Sequence, residues 1–225
     1  MSSTKTLNGV RLGRMIIAGA NELAANKQLV DAMNVFPVPD GDTGTNMSMT
    51  LSNAVRELEK LEGETAGKIA QVNASALLRG ARGNSGVILS QILKGICAVV
   101  KKCEKEVDVK TFAKALESGT KVAYNAVSVP KEGTILTVIR MMSEFAMKIA
   151  GKKKNFETFL HDVIEEGDRA LALTPELLPV LKKAGVVDAG GKGLMTIFEG
   201  AYIALKDGVA VSPEDKTFAT KPAAK

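Results

Sequence analysis

The chain has 225 residues, of which 45% are apolar and 24% charged, and its net charge is +5. That balance belongs to a folded globular chain and excludes a low-complexity or disordered segment of high net charge. No run approaches the roughly 18 apolar residues that a membrane-crossing helix needs, and the opening MSSTKTLNGVRLG lacks the unbroken apolar centre of a secretory signal.

The first pattern spans 9–25. Val10, Met15, Ile16, Ile17, Ala20, Leu23 and Ala24 recur between polar positions at the helical period. Residues 46–60 repeat it with Met47, Met49, Leu51, Ala54, Val55 and Leu58. Further helical stretches are expected at 65–79, 86–101, 109–127, 134–150, 155–170, 175–183 and 192–206. Strand-like alternation is nearly absent, and VSVP and GVV are too short to build a sheet. Eight or nine helices on short connections predict an all-α bundle with antiparallel neighbours. The Pro-, Ala- and Lys-rich stretch that follows reads as a linker or cut end. This gives one domain at 1–208 and a tail at 209–225.

Several chemistries find no material. Cys97 and Cys103 are the only cysteines, with neither a disulfide framework nor a zinc spacing, so a reducing, cytoplasmic setting is expected. The lysine excess sits in short clusters such as Lys101-Lys102 and Lys182-Lys183. With two Tyr, seven Phe and no Trp, a base-stacking nucleic-acid surface has little material, and no nucleic-acid partner is expected. Lysines at solvated helix ends explain the clusters. His161, the single histidine, lies beside Asp162 in a predicted helix and reads as a surface residue, not a general base. Neither Ser/His/Asp hydrolysis nor a cysteine nucleophile is supported.

The glycines carry the information. They cluster in four loops, at 35–45, 79–86, 128–134 and 183–193, each running into a predicted helix start. Free backbone N–H groups and helix dipoles there favour a phosphate-rich ligand, although glycine also caps ordinary helices. In the first loop Asp40 and Asp42 flank Gly41, and Pro37 and Pro39 stiffen the approach. Two carboxylates this close repel unless a cation lies between them, and hard oxygen ligands suit Mg²⁺ or Mn²⁺. The alternative is an Asx-turn that caps the next helix. Gly44 permits close backbone approach, Thr43 and Thr45 offer hydroxyls, and Thr45 is the expected N-cap of a helix starting near Asn46. Asn34 offers a neutral oxygen ligand, whereas Asp31 reads as part of a helix end.

In the second loop Arg82, beside Gly83-Asn84-Ser85-Gly86, is suited to bidentate phosphate contact, with Ser85 as N-cap. The alternative is a surface turn with a charged shoulder. Thr134 caps its helix in either reading. The fourth loop is not a Walker A sequence, because Gly193 follows its lysine where Ser or Thr belongs. Asp188 is left to hold a ribose, a base or a loop backbone.

Taken in order, NVFPVPDGDTGTNM at 34–47, ARGNSGVILSQ at 81–91, EGT at 132–134 and AGVVDAGGKGL at 184–194 resemble the nucleotide-binding domain of the dihydroxyacetone-kinase-like family. Within that family the resemblance is closest to the N-terminal domain of bacterial fatty acid kinases, and it covers about residues 5–208. It implies an eight-helix antiparallel barrel that binds ATP at one end through inter-helix loops and a pair of Mg²⁺ ions. Asp40 and Asp42 match the aspartates of the GDxDxG-type metal motif, and they would be the metal-binding and catalytic pair. Pro39 stands here before Asp40, and Asn34 lies where the kinases carry a further acid upstream. Thr43, Gly44, Thr45 and Asn46 then continue toward the nucleotide. Arg82, Asn84, Ser85 and Gly86 meet its phosphates, and Thr134, Asp188 and Gly190 contact it or close over it.

The implied reaction moves the γ-phosphoryl group of ATP to a fatty acid carboxylate, giving an acyl phosphate. The partners implied are a fatty-acid-binding protein and the remaining domains of a longer kinase, without which this domain would lack full activity. A carboxylate needs no general base, in keeping with the lone His161. The alternatives are an ATP-binding subunit of a dihydroxyacetone kinase and a helical interaction module without catalysis.

Overall fold

Each apolar stripe becomes a helix. The computed structural model describes residues 4–207, so the stretch from 208 on, expected to be a linker, lies outside the described residues. The elements are β1 (Thr6–Asn8), α1 (Gly9–Ala32), α2 (Thr43–Leu58), α3 (Ala66–Gly80), α4 (Gly83–Val100), β2 (Glu106–Asp108), α5 (Val109–Ala126), α6 (Ile135–Ile149), α7 (Phe156–Leu177), α8 (Pro179–Ala184) and α9 (Ala189–Lys206). Among the described residues eight helices are long and α8 is a single short turn of six residues. The all-α antiparallel barrel therefore stands.

The elements differ from the periodicity in several places, and α1 runs on to Ala32, past the expected end at 25. The helices α2, α4 and α9 start about three residues early, inside their glycine loops, because glycine's low helix propensity masks a start that packing stabilises. Next, α7 runs through Pro175, where a break and a new helix at 175–183 were expected. Pro175 has no N–H for the Leu171 carbonyl, and the Thr174 hydroxyl donates to that oxygen instead, at 2.7 Å. Finally, β1 and β2 form a small antiparallel ribbon, Leu7 opposite Val107. Three residues are too few to show alternation, yet both apolar side chains are fully buried.

Consecutive helices pack side by side, and α9 returns against α1 to close the ring. The interior is filled by Leu23, Met47, Leu51, Leu116, Ile139, Phe159 and Met195, all fully buried or nearly so. Burial of this apolar surface is the main stabilising term. Phe156 meets Phe112 and Phe159 edge to face, with centroids 5.2 and 5.9 Å apart. By length and composition α4 could cross a membrane, with mean hydropathy 1.4, against the expectation of no such helix. Here it packs between α3 and α5 as a core helix, burying Leu89, Ile92 and Val100.

Antiparallel order places the starts of α2, α4, α6 and α9 at one end. Gly86 lies on Asn46 and Thr50, Gly193 on Met47, and Gly190 on Ile135. The β ribbon is at the far end, where the Phe156 N–H also meets the Thr4 carbonyl.

Candidate functional site

A helix leaves its first N–H groups without intrahelical partners, and a side-chain oxygen at the N-cap usually takes one of them. Six of the long helices follow this rule. Asn8, Thr65, Asp108, Thr134, Asn155 and Asp188 each accept from a backbone N–H of the helix that they begin. The long helices α2 and α4 do not: Asp42 and Arg82 occupy their cap positions with no side-chain cap bond. Both starts sit at the glycine-loop end, side by side.

The acidic loop is tied down from α1. Asp31 accepts from the Thr45 N–H at 3.0 Å and from the Thr45 hydroxyl at 2.7 Å. Thr45 is therefore not the N-cap expected of it. The helix begins two residues earlier, and Thr45 is itself held by an acid fourteen residues back. Asn34, expected as a neutral metal ligand, uses its amide on the loop backbone. Its carbonyl oxygen accepts from the Asp42 N–H at 3.1 Å, and its amino group donates to the Val38 carbonyl at 2.9 Å. Between these ties the chain turns through a cis Phe36–Pro37 bond and through Gly41 at φ +67°. Asp40 is exposed and Asp42 half-buried. Among the described residues neither carboxylate has a hydrogen-bond donor or a cation, and the amides of Thr43 and Gly44 have no acceptor.

The start of α4 lies on this same turn. The Arg82 N–H donates to the Thr50 hydroxyl at 3.1 Å, and that hydroxyl donates to the Asn46 carbonyl at 2.7 Å. Gly83 has φ +59°, and a Cβ there would come within 2.4 Å of the Asn46 amide, so only glycine fits. Ser85, expected as N-cap, lies inside the first turn and points its hydroxyl at the Thr43 carbonyl, 3.5 Å away. Arg82 takes the cap position and, carrying only donors, has no oxygen with which to cap. The amides of Gly83, Asn84 and Ser85 lack acceptors among the described residues, and Arg82 and Asn84 are exposed.

The other two loops are closed. The Thr134 hydroxyl accepts from the Leu136 N–H and donates to the Lys131 carbonyl. Glu132 accepts from the Tyr124 hydroxyl (2.8 Å), the Thr137 hydroxyl (2.6 Å) and Arg140 (3.0 Å), which clasps its loop to α5 and α6. Asp188 is buried and accepts from the Gly191 N–H at 2.7 Å and from the Ile135 N–H, so one carboxylate joins the starts of α6 and α9. Its own N–H donates to the Thr174 hydroxyl. Burial pushes its carboxyl up to about 6, against those two backbone bonds. Of the three roles left open for Asp188, the structure assigns the loop backbone. Gly190 stands beside it, against the Ile135 side chain.

Three residues that sequence reading missed as site-shaping are Asp31, Thr50 and Glu132. Asp31 reads from the sequence only as a helix end and Glu132 only as part of the EGT motif, while the signal at Thr50 is a hydroxyl on the buried stripe with Met47, Leu51 and Ala54. His161 lies near the start of α7, away from the loop end, on an exposed face with Asp162 and Glu165 and with its ring 5.7 Å from Tyr202. Asp162 already pairs with Lys153. Cys97 is buried, and burial pushes its thiol up to about 11, against the Asn73 amide, which disfavours the reactive thiolate.

This ring of helices, with its open loop end, is the kind of barrel found in dihydroxyacetone kinase. The crystal structure of the C. freundii enzyme in complex with AMP-PNP and Mg²⁺ superposes with a TM-score of 0.65 at 13% identity, covering 89% of this chain and 35% of that one. The native form of the same enzyme gives 0.59 at 16% identity. The model of the DAK2 domain matches residues 37–202, and the chain belongs to that family. Protein YloV of Bacillus subtilis is 48% identical over 204 residues, which cover 91% of this chain and 37% of the relative. A Staphylococcus aureus USA300 protein is 44% identical over 200 residues, covering 89% of this chain and 36% of its own length. The chain thus spans little more than a third of the length of these relatives.

Proposed function

We propose that this chain is the ATP- and Mg²⁺-binding domain of a kinase. The observation that carries the reading is the pair of uncapped starts of α2 and α4, set side by side next to the Asp40–Asp42 turn. Unpartnered amides aimed out of two adjacent helix starts form a cradle for a polyphosphate. Two carboxylates without a protein cation, on a loop stapled by Asp31 and Asn34, fit hard divalent ions, and we assign two Mg²⁺ to Asp40 and Asp42. When bound, Mg²⁺ neutralises charge on the β and γ oxygens during transfer.

The chain's own groups do the rest. The Thr43, Gly44, Gly83, Asn84 and Ser85 amides orient the phosphates, and Arg82 offers a bidentate contact. Asn46 and Gly86 shape the floor between the helices. Thr45 holds the first turn of α2 to Asp31. Thr134, Asp188 and Gly190 form the opposite wall, with their polar atoms turned into the protein. Asn34 acts as a staple, with both polar atoms of its amide engaged on the loop backbone.

The acceptor assigned is a fatty acid carboxylate presented by a separate lipid-carrying protein, giving an acyl phosphate. A carboxylate brings its own negative charge, and the loop end has no histidine among the described residues to accept a proton. A dihydroxyacetone hydroxyl is the second reading, favoured by the fold likeness to that kinase. Calorimetry with Mg-ATP on the wild type, Asp40→Ala and Asp42→Ala tests the site. Transfer assays with each kind of carrier separate the acceptors. A folded wild type that binds no Mg-ATP leaves only a helical interaction module.

A further inference from the structure

Thr50 is fully buried, and the connection from α3 to α4 is wrapped around the turn of α2 that it occupies. A Cβ on Gly80 would come within 2.9 Å of the Thr50 carbonyl. The Arg82 N–H lands on the Thr50 hydroxyl at 3.1 Å. A Cβ on Gly86 would come within 2.2 Å of that same hydroxyl oxygen. The hydroxyl proton is committed to the Asn46 carbonyl, so its lone pairs face α4. One side chain therefore touches both helix starts, between Asn46 on one side and the unpartnered amides of Gly83, Asn84 and Ser85 on the other.

We propose that Thr50 is a positioning residue, which sets the separation of the two uncapped starts so that one polyphosphate reaches the amides of both. The proposal rests on the nucleotide-binding reading above. It assigns Thr50 no contact with the ligand. Its effect passes through the Arg82 backbone, which fixes where the free amides point. A hydroxyl is needed, because a buried methyl of the same shape leaves the Arg82 N–H without an acceptor.

The test compares Thr50→Val, which keeps the shape, with Thr50→Ser, which keeps the hydroxyl. Mg-ATP affinity is measured by calorimetry and melting temperature by circular dichroism. Loss of one net hydrogen bond's worth of positioning is expected to weaken Mg-ATP binding about tenfold in Thr50→Val, and Thr50→Ser to stay within about twofold of wild type. Gly86→Ala, which drives a methyl onto the same hydroxyl from the α4 side, is the second variant and is expected to weaken binding as Thr50→Val does. A lowered melting temperature with unchanged affinity in the valine and alanine variants would show a merely structural role and overturn the proposal. So would a serine variant as weak as the valine one. A wild type that fails to bind Mg-ATP overturns the nucleotide reading first and this inference with it, which separates the two failures.

Discussion

The α2/α4 corner and the α6/α9 corner are built from the same parts. Each brings two glycine-rich loops into two helix starts at one end of the barrel. At α6 and α9 the chain meets its own needs: Thr134 caps one helix, and Asp188 caps the other while also accepting from Ile135. At α2 and α4 the cap residues are Asp42, whose carboxylate is not turned onto the helix, and Arg82, which has no acceptor to offer. Glycine content is alike in the two corners and decides nothing. What separates the corners is whether the helix-start amides are satisfied by the chain itself, and unsatisfied ones are the kind that favour an anion.

Substitutions can break this contrast. The largest effect is expected from Asp40→Ala or Asp42→Ala, which should abolish Mg²⁺-dependent ATP binding while helicity stays intact; unchanged affinity would remove the basis for calling that corner the site. Arg82→Ala should weaken Mg-ATP about tenfold with little change in melting temperature. Asp188→Ala should do the reverse. Two buried amides lose their acceptor, costing about 2 kcal/mol of stability in chemical denaturation, with a smaller change in affinity than Arg82→Ala. If Asp188→Ala harmed binding more than stability, the second corner would be the functional one.

The smallest and sharpest effect is in pH. The Asp188 carboxyl lies near 6 in the fold, against an ordinary 3.8. Between those values the folded state holds a proton that the unfolded chain has released, so stability should fall as pH rises through that window. Asp188→Asn should flatten this part of the profile, as read by denaturant midpoints at successive pH values.

Much of this was legible in the sequence. The stripes gave the helices, and PDGDTGT and ARGNSG mark the two loops whose helix starts the fold leaves uncapped. What escaped was every tie between distant residues. Asp31 reaches Thr45, and Thr50 reaches Arg82 thirty-two residues on. Asn34 carries a polar group of the type and place a metal ligand would have, but its amide is engaged on the Asp42 and Val38 backbone, a tie that residue type alone does not reveal. The starts of α2 and α4 were misplaced for a related reason. Thr45 and Ser85 are good capping residues by type, but tertiary contacts at Asp31 and Thr43 hold them inside the first turn. The β ribbon was invisible because two three-residue strands pair only across the whole first half of the barrel.

Closure of the ring by α9 against α1 has a consequence for synthesis. A nascent polypeptide that has emerged only through α7 leaves Gly19 without the Ile197 backbone that seats on it, and Met47 without Gly193. The Ile135 amide, likewise, waits for a carboxylate not yet translated. The barrel shuts only once α9 has left the ribosome, and the glycine-loop end is completed in that same step.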